Sequence, residues 1–174
     1  MASEVKIGFL GAGKMASALA KGFIHGGIAS AARLIASDPI KEARAEFEKL
    51  GARSTLEARD VFDESDVVFI AVKPAQVGDL LKKESAHIRH RHLIISIAAG
   101  VTLSKLEAAV PEHIRVVRVM PNTPALIGAS ASAYALGSSA SQEDAAMVQR
   151  LLASVGVAIE VKEALLDAVT GLSG

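Results

Sequence analysis

The segment Gly8-Phe9-Leu10-Gly11-Ala12-Gly13-Lys14-Met15-Ala16 constrains this chain of 174 residues more than any other feature. It joins an apolar run over residues 5–10 to a helix-like segment over 14–25 that stops at Gly26-Gly27, and it matches two phosphate-binding patterns. Counted from Gly8 the pattern is G-x-x-x-x-G-K, but Met15 stands where a P-loop needs a Ser or Thr hydroxyl on magnesium, and a thioether cannot replace it. Counted from Gly11 it is G-x-G-x-x-A, the dinucleotide fingerprint, with Ala16 small enough for close helix packing. In this second reading Gly11 makes the tight turn and Gly13 leaves out the Cβ that would block a pyrophosphate. The helix beginning near Lys14 then turns its free N–H groups toward the anion. Glycines that serve only a strand-to-helix turn explain one of the three and not their spacing.

The rest of the chain repeats this alternation. Buried-strand runs fall at 5–10, 34–37, 67–72, 93–97 and 116–120, with helix-like segments between the first four. Nearly continuous Val, Ile, Leu and Ala in these runs is the mark of strands covered on both faces. The expected fold is therefore α/β: a Rossmann-type, doubly wound, mostly parallel sheet. Asp38-Pro39 reads as the N-cap and first residue of a second helix running through Leu50, and Pro74 restarts a helix after Val72-Lys73. Thr102 to Ala109 reads as a short helix, and Ser141 caps a further one with Glu143 and Asp144 in its first turn. Residues 130–136 and 157–161 read as two more strands. The expected organisation is a dinucleotide-binding domain over 1–161, with 162–174 opening a helical second domain and the chain stopping inside it.

Composition narrows the partners. Nineteen Lys and Arg balance nineteen Asp and Glu, so the net positive charge that drives binding to nucleic-acid backbone is missing. No apolar run approaches the roughly eighteen residues of a membrane span, and no basic leader precedes the first strand, so the reading is a soluble, cytoplasmic chain. Without cysteine there is no thiolate nucleophile and no Cys-ligated metal. His87, His90 and His92 cluster, but Arg89 and Arg91 between them would repel a cation, so no metal is expected and the segment reads as a basic surface patch. Glu42, Glu46 and Glu48 beside Lys41, Arg44 and Lys49 read as a solvated helix face.

After the second strand the fingerprint calls for an acid on the adenosine ribose, and Asp38 stands there, although the same residue could serve only as a helix cap. Asp38 favours NAD(H), while Ser37, Lys41 and Arg44 could hold the 2′-phosphate of NADP(H), so both cofactors stay open. Three later strand ends, Ala71-Val72-Lys73-Pro74, Ile97-Ala98-Ala99-Gly100 and Met120-Pro121-Asn122-Thr123-Pro124, fall at the same edge of the sheet. Small residues with one polar amide at successive strand ends suggest a narrow slot for a flat ring. Lys73 and Asn122 are candidates to orient cofactor or substrate, and no histidine falls in an acid–base constellation.

These words, with Ala98-Ala99-Gly100-Val101-Thr102 and the closing Asp167-Ala168-Val169-Thr170-Gly171-Leu172-Ser173-Gly174, resemble in order the amino-terminal domain of the pyrroline-5-carboxylate reductases. The resemblance implies NAD(P)H-dependent reduction of a small-molecule cyclic imine, 1-pyrroline-5-carboxylate, to L-proline. It implies the pyrophosphate on Leu10 to Met15, the ribose near Ser37 and Asp38, and the nicotinamide beside Ala71, Val72, Lys73, Pro74 and Ala99. It further implies a homo-oligomer built from dimers through a helical carboxyl-terminal domain that supplies most substrate contacts. Members often carry Ser where this chain has Asp38 and Asn where it has Ala58, so a preference for NADPH does not carry over. A related dehydrogenase of a hydroxy acid or prephenate-like substrate, and a nucleotide-binding piece without catalysis, are the alternatives.

Overall fold

In chain order the elements are β1 (Ile7–Leu10), α1 (Lys14–His25), β2 (Leu34–Ser37), α2 (Lys41–Glu48), β3 (Arg53–Thr55), α3 (Ala58–Glu64) and β4 (Val67–Ile70). They continue with α4 (Pro74–Lys83), β5 (Leu93–Ser96), α5 (Leu103–Ala109), β6 (Arg115–Met120), β7 (Ser130–Leu136), α6 (Gln142–Ala153), β8 (Gly156–Glu160) and α7 (Glu163–Ser173). The computed structural model describes residues 4–173, including every side chain among them except those of Thr123 and 169–173. Among the described residues one eight-stranded sheet forms in the order β3-β2-β1-β4-β5-β6-β7-β8. The first six strands are parallel, with the order 3-2-1-4-5-6 of doubly wound dinucleotide folds. β7 then turns antiparallel against β6, and β8 pairs parallel to β7 through the α6 crossover.

Each central strand is buried throughout because helices cover both faces, and strand alternation divides its side chains between two cores. Ile7 and Phe9 of β1, Phe69 of β4, and Val117 and Val119 of β6 pack with α1, α2 and α6. Leu10, Val68, Ile70, Ile94 and Val116 pack with α3, α4, α5 and α7. Four of the five phenylalanines meet in the first core: Phe9 stacks on Phe69 at 5.2 Å between centroids, meets Phe47 edge-on at 5.5 Å, and lies 6.2 Å from Phe23. Each buried ring is worth about 1.5–3 kcal/mol, so this cluster fastens α1 and α2 to the middle of the sheet. On the other face Gly8 lets α3 come close, since a Cβ there would lie 2.4 Å from both Ser65 Oγ and Val61 Cγ1.

Most expected elements are present, with three physical differences. β3 was not expected, because a three-residue edge strand with partly exposed side chains needs no apolar run. α2 starts at Lys41 after Ile40 and ends at Glu48, so Asp38 does not cap it; its Oδ1 instead accepts the Ile40 N–H at 2.8 Å in a local turn before the helix. The basic segment before β5 is not simply a surface patch, because His92 is wholly buried. Its Nδ1 accepts the Arg89 N–H at 2.8 Å, and its Nε2 donates to the Phe62 carbonyl at 2.7 Å. Arg91 reaches the carbonyls of Phe62, Asp63 and Ser65, closing the carboxyl end of α3. At the Ser141 cap a full capping box forms with Asp144, whose carboxylate also accepts from Arg115 at 2.6 Å.

α7 is tied to the sheet by a buried cation. Arg118 of β6 is 1% exposed, and its Nη atoms donate to Glu163 at 3.1 Å and Asp167 at 2.8 Å. Glu163 also accepts the Leu103 N–H at 2.7 Å, so one carboxylate joins α5, α7 and β6. Such a pair resists removal of either partner more than it adds net stability.

Burial holds the His92 imidazole below its ordinary value near 6.5, against the opposing effect of the Phe62 carbonyl. The unfolded chain therefore binds this proton first, and stability falls as the pH drops through about 6.5 toward the lowered folded value. The melting temperature, followed by calorimetry between about pH 7.5 and 5.5, is expected to decline, with a shallower slope in His92→Gln. Equal slopes in the two proteins would assign the acid sensitivity to other groups.

Candidate functional site

The backbone at the carboxyl end of β1 is bonded to both neighbours. The Gly11 N–H donates to the Ser37 carbonyl of β2 at 2.8 Å, and the Ala71 N–H donates to the Leu10 carbonyl at 2.8 Å. Gly11 has φ of +100°, and a Cβ there would lie 2.5 Å from the Ala71 carbonyl oxygen, so only hydrogen fits. Gly13 differs: its φ is −74°, and a Cβ would meet nothing within 4 Å. It is the N-cap of α1 and supplies no side chain to that helix end, so the N–H groups of the first turn receive no side-chain cap. Ala16 is buried, as the fingerprint requires of the residue that seats the helix on the sheet.

Here the strand order reverses: α1 carries the chain from β1 to β2 on one side, and α3 carries it from β3 back to β4 on the other side of β1. Ligands of doubly wound sheets bind at such a point, outside the carboxyl ends of the strands. To one side lies Asp38, whose Oδ2 accepts the Ala12 N–H at 2.9 Å, while its backbone carbonyl accepts from Arg44 Nη1 at 2.7 Å. To the other side Met15, Ala71, Val72, Ile97, Ala99, Met120 and Pro121 line a cleft of about 240 Å³. This is smaller than the roughly 300–1,000 Å³ of a whole-ligand pocket and has room for a single ring.

The structure brings Met15, Ala71, Val72 and Ala99 together in that cleft and adds Ile97, Met120 and Pro121 to them. These last three stand in the strand-end words of the sequence, but as apolar side chains they carry no polar signal. Leu10 has its side chain in the core and offers only backbone, and Ser37 is buried at the end of β2. Lys73 caps α4 as an exposed residue, Pro74 is that helix's first residue, and neither lines the cleft. Asn122 uses its Oδ1 to accept the Ala131 N–H at 3.0 Å, which fixes the entry into β7. Among the described residues no group of three His, Asp or Glu could hold a metal ion, and no helix is long and apolar enough to cross a membrane. Of the closing stretch from Asp167, Gly174 and the side chains of 169–173 lie outside the described residues.

The strand order, the glycine turn at the point where it reverses and the cleft beside it define a Rossmann-type domain. The chain belongs to the family described as NADP oxidoreductase, coenzyme F420-dependent, whose model matches residues 6–100. It is similar to pyrroline-5-carboxylate reductase 2 of Rattus norvegicus, 41% identical over 98% of this chain and 55% of the relative. It is likewise similar to the pyrroline-5-carboxylate reductase of Methanosarcina acetivorans, 44% identical over 97% of this chain and 63% of that protein. The structure of Plasmodium falciparum pyrroline carboxylate reductase with NADP bound matches with a TM-score of 0.89 and 30% identity, over 99% of this chain and 64% of that one. The chain thus spans between half and two thirds of the length of these proteins.

The two loop glycines are expected to separate by stability. Gly11→Ala, forced into a positive φ against a carbonyl oxygen, is expected to cost about 2 kcal/mol or more. Gly13→Ala is expected to stay within about 1 kcal/mol, because the new methyl meets open space. Chemical denaturation of both variants measures the difference, and equal losses would contradict the geometry of the turn.

Proposed function

We propose that this chain is the cofactor-holding part of a pyrroline-5-carboxylate reductase, with residues 1–161 binding NAD(P)H and 162–174 opening a helical second domain that in the whole protein builds dimers. The observation that carries the reading is the amino end of α1 at Gly13, without a side-chain cap and set where the strand order reverses, with Met15 of its first turn lining the cleft of about 240 Å³. An uncapped helix start offers several N–H donors and a partial positive charge to a pyrophosphate. The relatives' names and the NADP in the Plasmodium structure support the same assignment.

In this assignment the backbone of Leu10 to Met15 holds the pyrophosphate, Asp38 beside Ser37 faces the ribose, and Ala71, Val72 and Ala99 flank the nicotinamide. Bound there, the reduced nicotinamide supplies a hydride from C4 to the carbon of a protonated cyclic imine, the better hydride acceptor, leaving a secondary amine, L-proline. The chain's own part is position: the cleft walls must hold ring and imine within about 3–3.5 Å in aligned geometry. Met120 and Pro121 at the end of β6 and Ile97 beyond β5 form an apolar wall that excludes water from that contact. Lys73 at the start of α4, and the amide donors of Asn122, orient cofactor or substrate by hydrogen bonds. The protein acts as a cytoplasmic enzyme on this small molecule.

Nicotinamide fluorescence, titrated at fixed ionic strength, is expected to show saturable binding of reduced dinucleotide by this chain, weakened at least about tenfold in Gly13→Ala, where a methyl enters the pyrophosphate space. The whole protein is expected to oxidise NAD(P)H when 1-pyrroline-5-carboxylate is added. Absence of binding to both NADH and NADPH would overturn the cofactor assignment, and binding without imine-dependent oxidation would overturn the substrate assignment.

A further inference from the structure

We infer that the cleft at the end of β1 is an oxidation-sensitive site, where hydrogen peroxide converts Met15 and Met120 to sulfoxides and so shuts out the dinucleotide; the shutting-out rests on the dinucleotide assignment above. The chain has no cysteine, so its oxidisable sulfur lies in four methionines. Three of them fall among the described residues, and two of these three, Met15 and Met120, line the one cleft of about 240 Å³. They reach it from different cores. Met15, in the first turn of α1, packs against the core under α1, α2 and α6, and Met120, at the end of β6, packs against the core under α3, α4 and α5. Both residues are half-buried, so each keeps surface open to a small oxidant.

The other walls are Ala71, Val72, Ile97, Ala99 and Pro121, none of which carries a side-chain donor or acceptor. In such a wall a thioether behaves as soft apolar surface that packs well against a flat ring. Oxidation reverses that character. A lone pair on sulfur attacks one peroxide oxygen, an S–O bond forms as the O–O bond breaks, and the other oxygen leaves with both protons as water. Sulfur gives up two electrons and the peroxide accepts them, so no further reactant is needed. The new oxygen is polar, finds no side-chain donor in the cleft, and stands with its hydrating water in space that has room for a single ring. A ring that enters must displace that water and forgo the contact with sulfur. A ring already bound covers both sulfurs, and linkage makes the opposition mutual. Met147 of α6 provides the internal comparison, being half-buried against the first core but outside the cleft.

The folded chain is treated with hydrogen peroxide, alone and with NAD⁺ or NADP⁺, which peroxide does not consume, and oxygen gain at each methionine is followed by peptide mass spectrometry. Saturating dinucleotide is expected to slow oxidation of Met15 and Met120 at least about tenfold while changing Met147 by less than about twofold. Once the peroxide is removed, affinity for NADH and NADPH, read by nicotinamide fluorescence, is expected to be at least about tenfold weaker, and methionine sulfoxide reductase is expected to restore it. In the double variant Met15→Leu, Met120→Leu, which conserves volume and takes up no oxygen, the same treatment is expected to alter the variant's own affinity by less than about twofold. The melting temperature of the treated chain reports whether the fold has held, and the shielding measurement needs no variant. Oxidation of both residues with affinity unchanged, a loss of equal size in the double variant, a loss that accompanies unfolding, or sulfurs that bound dinucleotide fails to shield would overturn this inference while leaving the dinucleotide assignment intact. Failure of the untreated chain to bind any of the four dinucleotides would overturn both.

Discussion

Everything that makes a site in this chain depends on how closely the backbone of Gly11 approaches the carbonyl of Ala71. The two strands β1 and β4 run side by side to their last residues, and the chain must leave β1 upward without pushing β4 away. A Cβ at Gly11 would lie 2.5 Å from that carbonyl oxygen, inside any permissible contact, and the turn also demands a φ of +100°. Because glycine meets both demands, the Gly11 N–H reaches Ser37 and the Ala71 N–H reaches Leu10, so the backbones of β1, β2 and β4 stay joined up to the turn. A Cβ at Gly13 would meet nothing within 4 Å, and α1 begins without a side-chain cap on its first N–H groups.

Rigidity at this edge comes from the two cores below it. The phenylalanine cluster under α1 and α2, and the aliphatic layer under α3, α4 and α5, hold the strands from opposite faces. The walls of the cleft lie at or just beyond the ends of those strands, and α1 contributes Met15 from its first turn. Close-packed interiors do not deform gradually, so a ring bound there would be held by walls with little freedom to move. β6 links this edge to α7, since it carries Met120 in the cleft and Arg118 in the buried pair with Glu163 and Asp167. One strand therefore contributes both to the wall of the cleft and to the seat of α7.

Much of this was legible in the residues. Continuous apolar runs announce strands covered on both faces, and glycines and prolines mark where they end, because those residues alone meet the backbone demands of the turns. The G-x-G-x-x-A spacing located the turn at Gly11 and the helix start at Lys14, and the Ser141 cap was readable from a hydroxyl followed by two acids. β3 was not legible, since an edge strand takes its order from the neighbour it pairs with. Nor was the burial of His92, whose bonds to Arg89 and Phe62 join segments thirty residues apart.

The sequence by itself determined the alternating plan and the glycine turn, because both follow from local rules: period, side-chain volume and allowed dihedral angles. The tertiary structure decided which residues face the site. It sent Leu10 and Ser37 inward, gave the Asn122 side-chain carbonyl to Ala131, and gathered Ile97, Met120 and Pro121 beside Ala71 from two further strand ends. It also turned Asp38 from an expected helix cap into a carboxylate pinned against Ala12, twenty-six residues away. A contact of that kind depends on two strands lying next to each other, and only the completed sheet places them there.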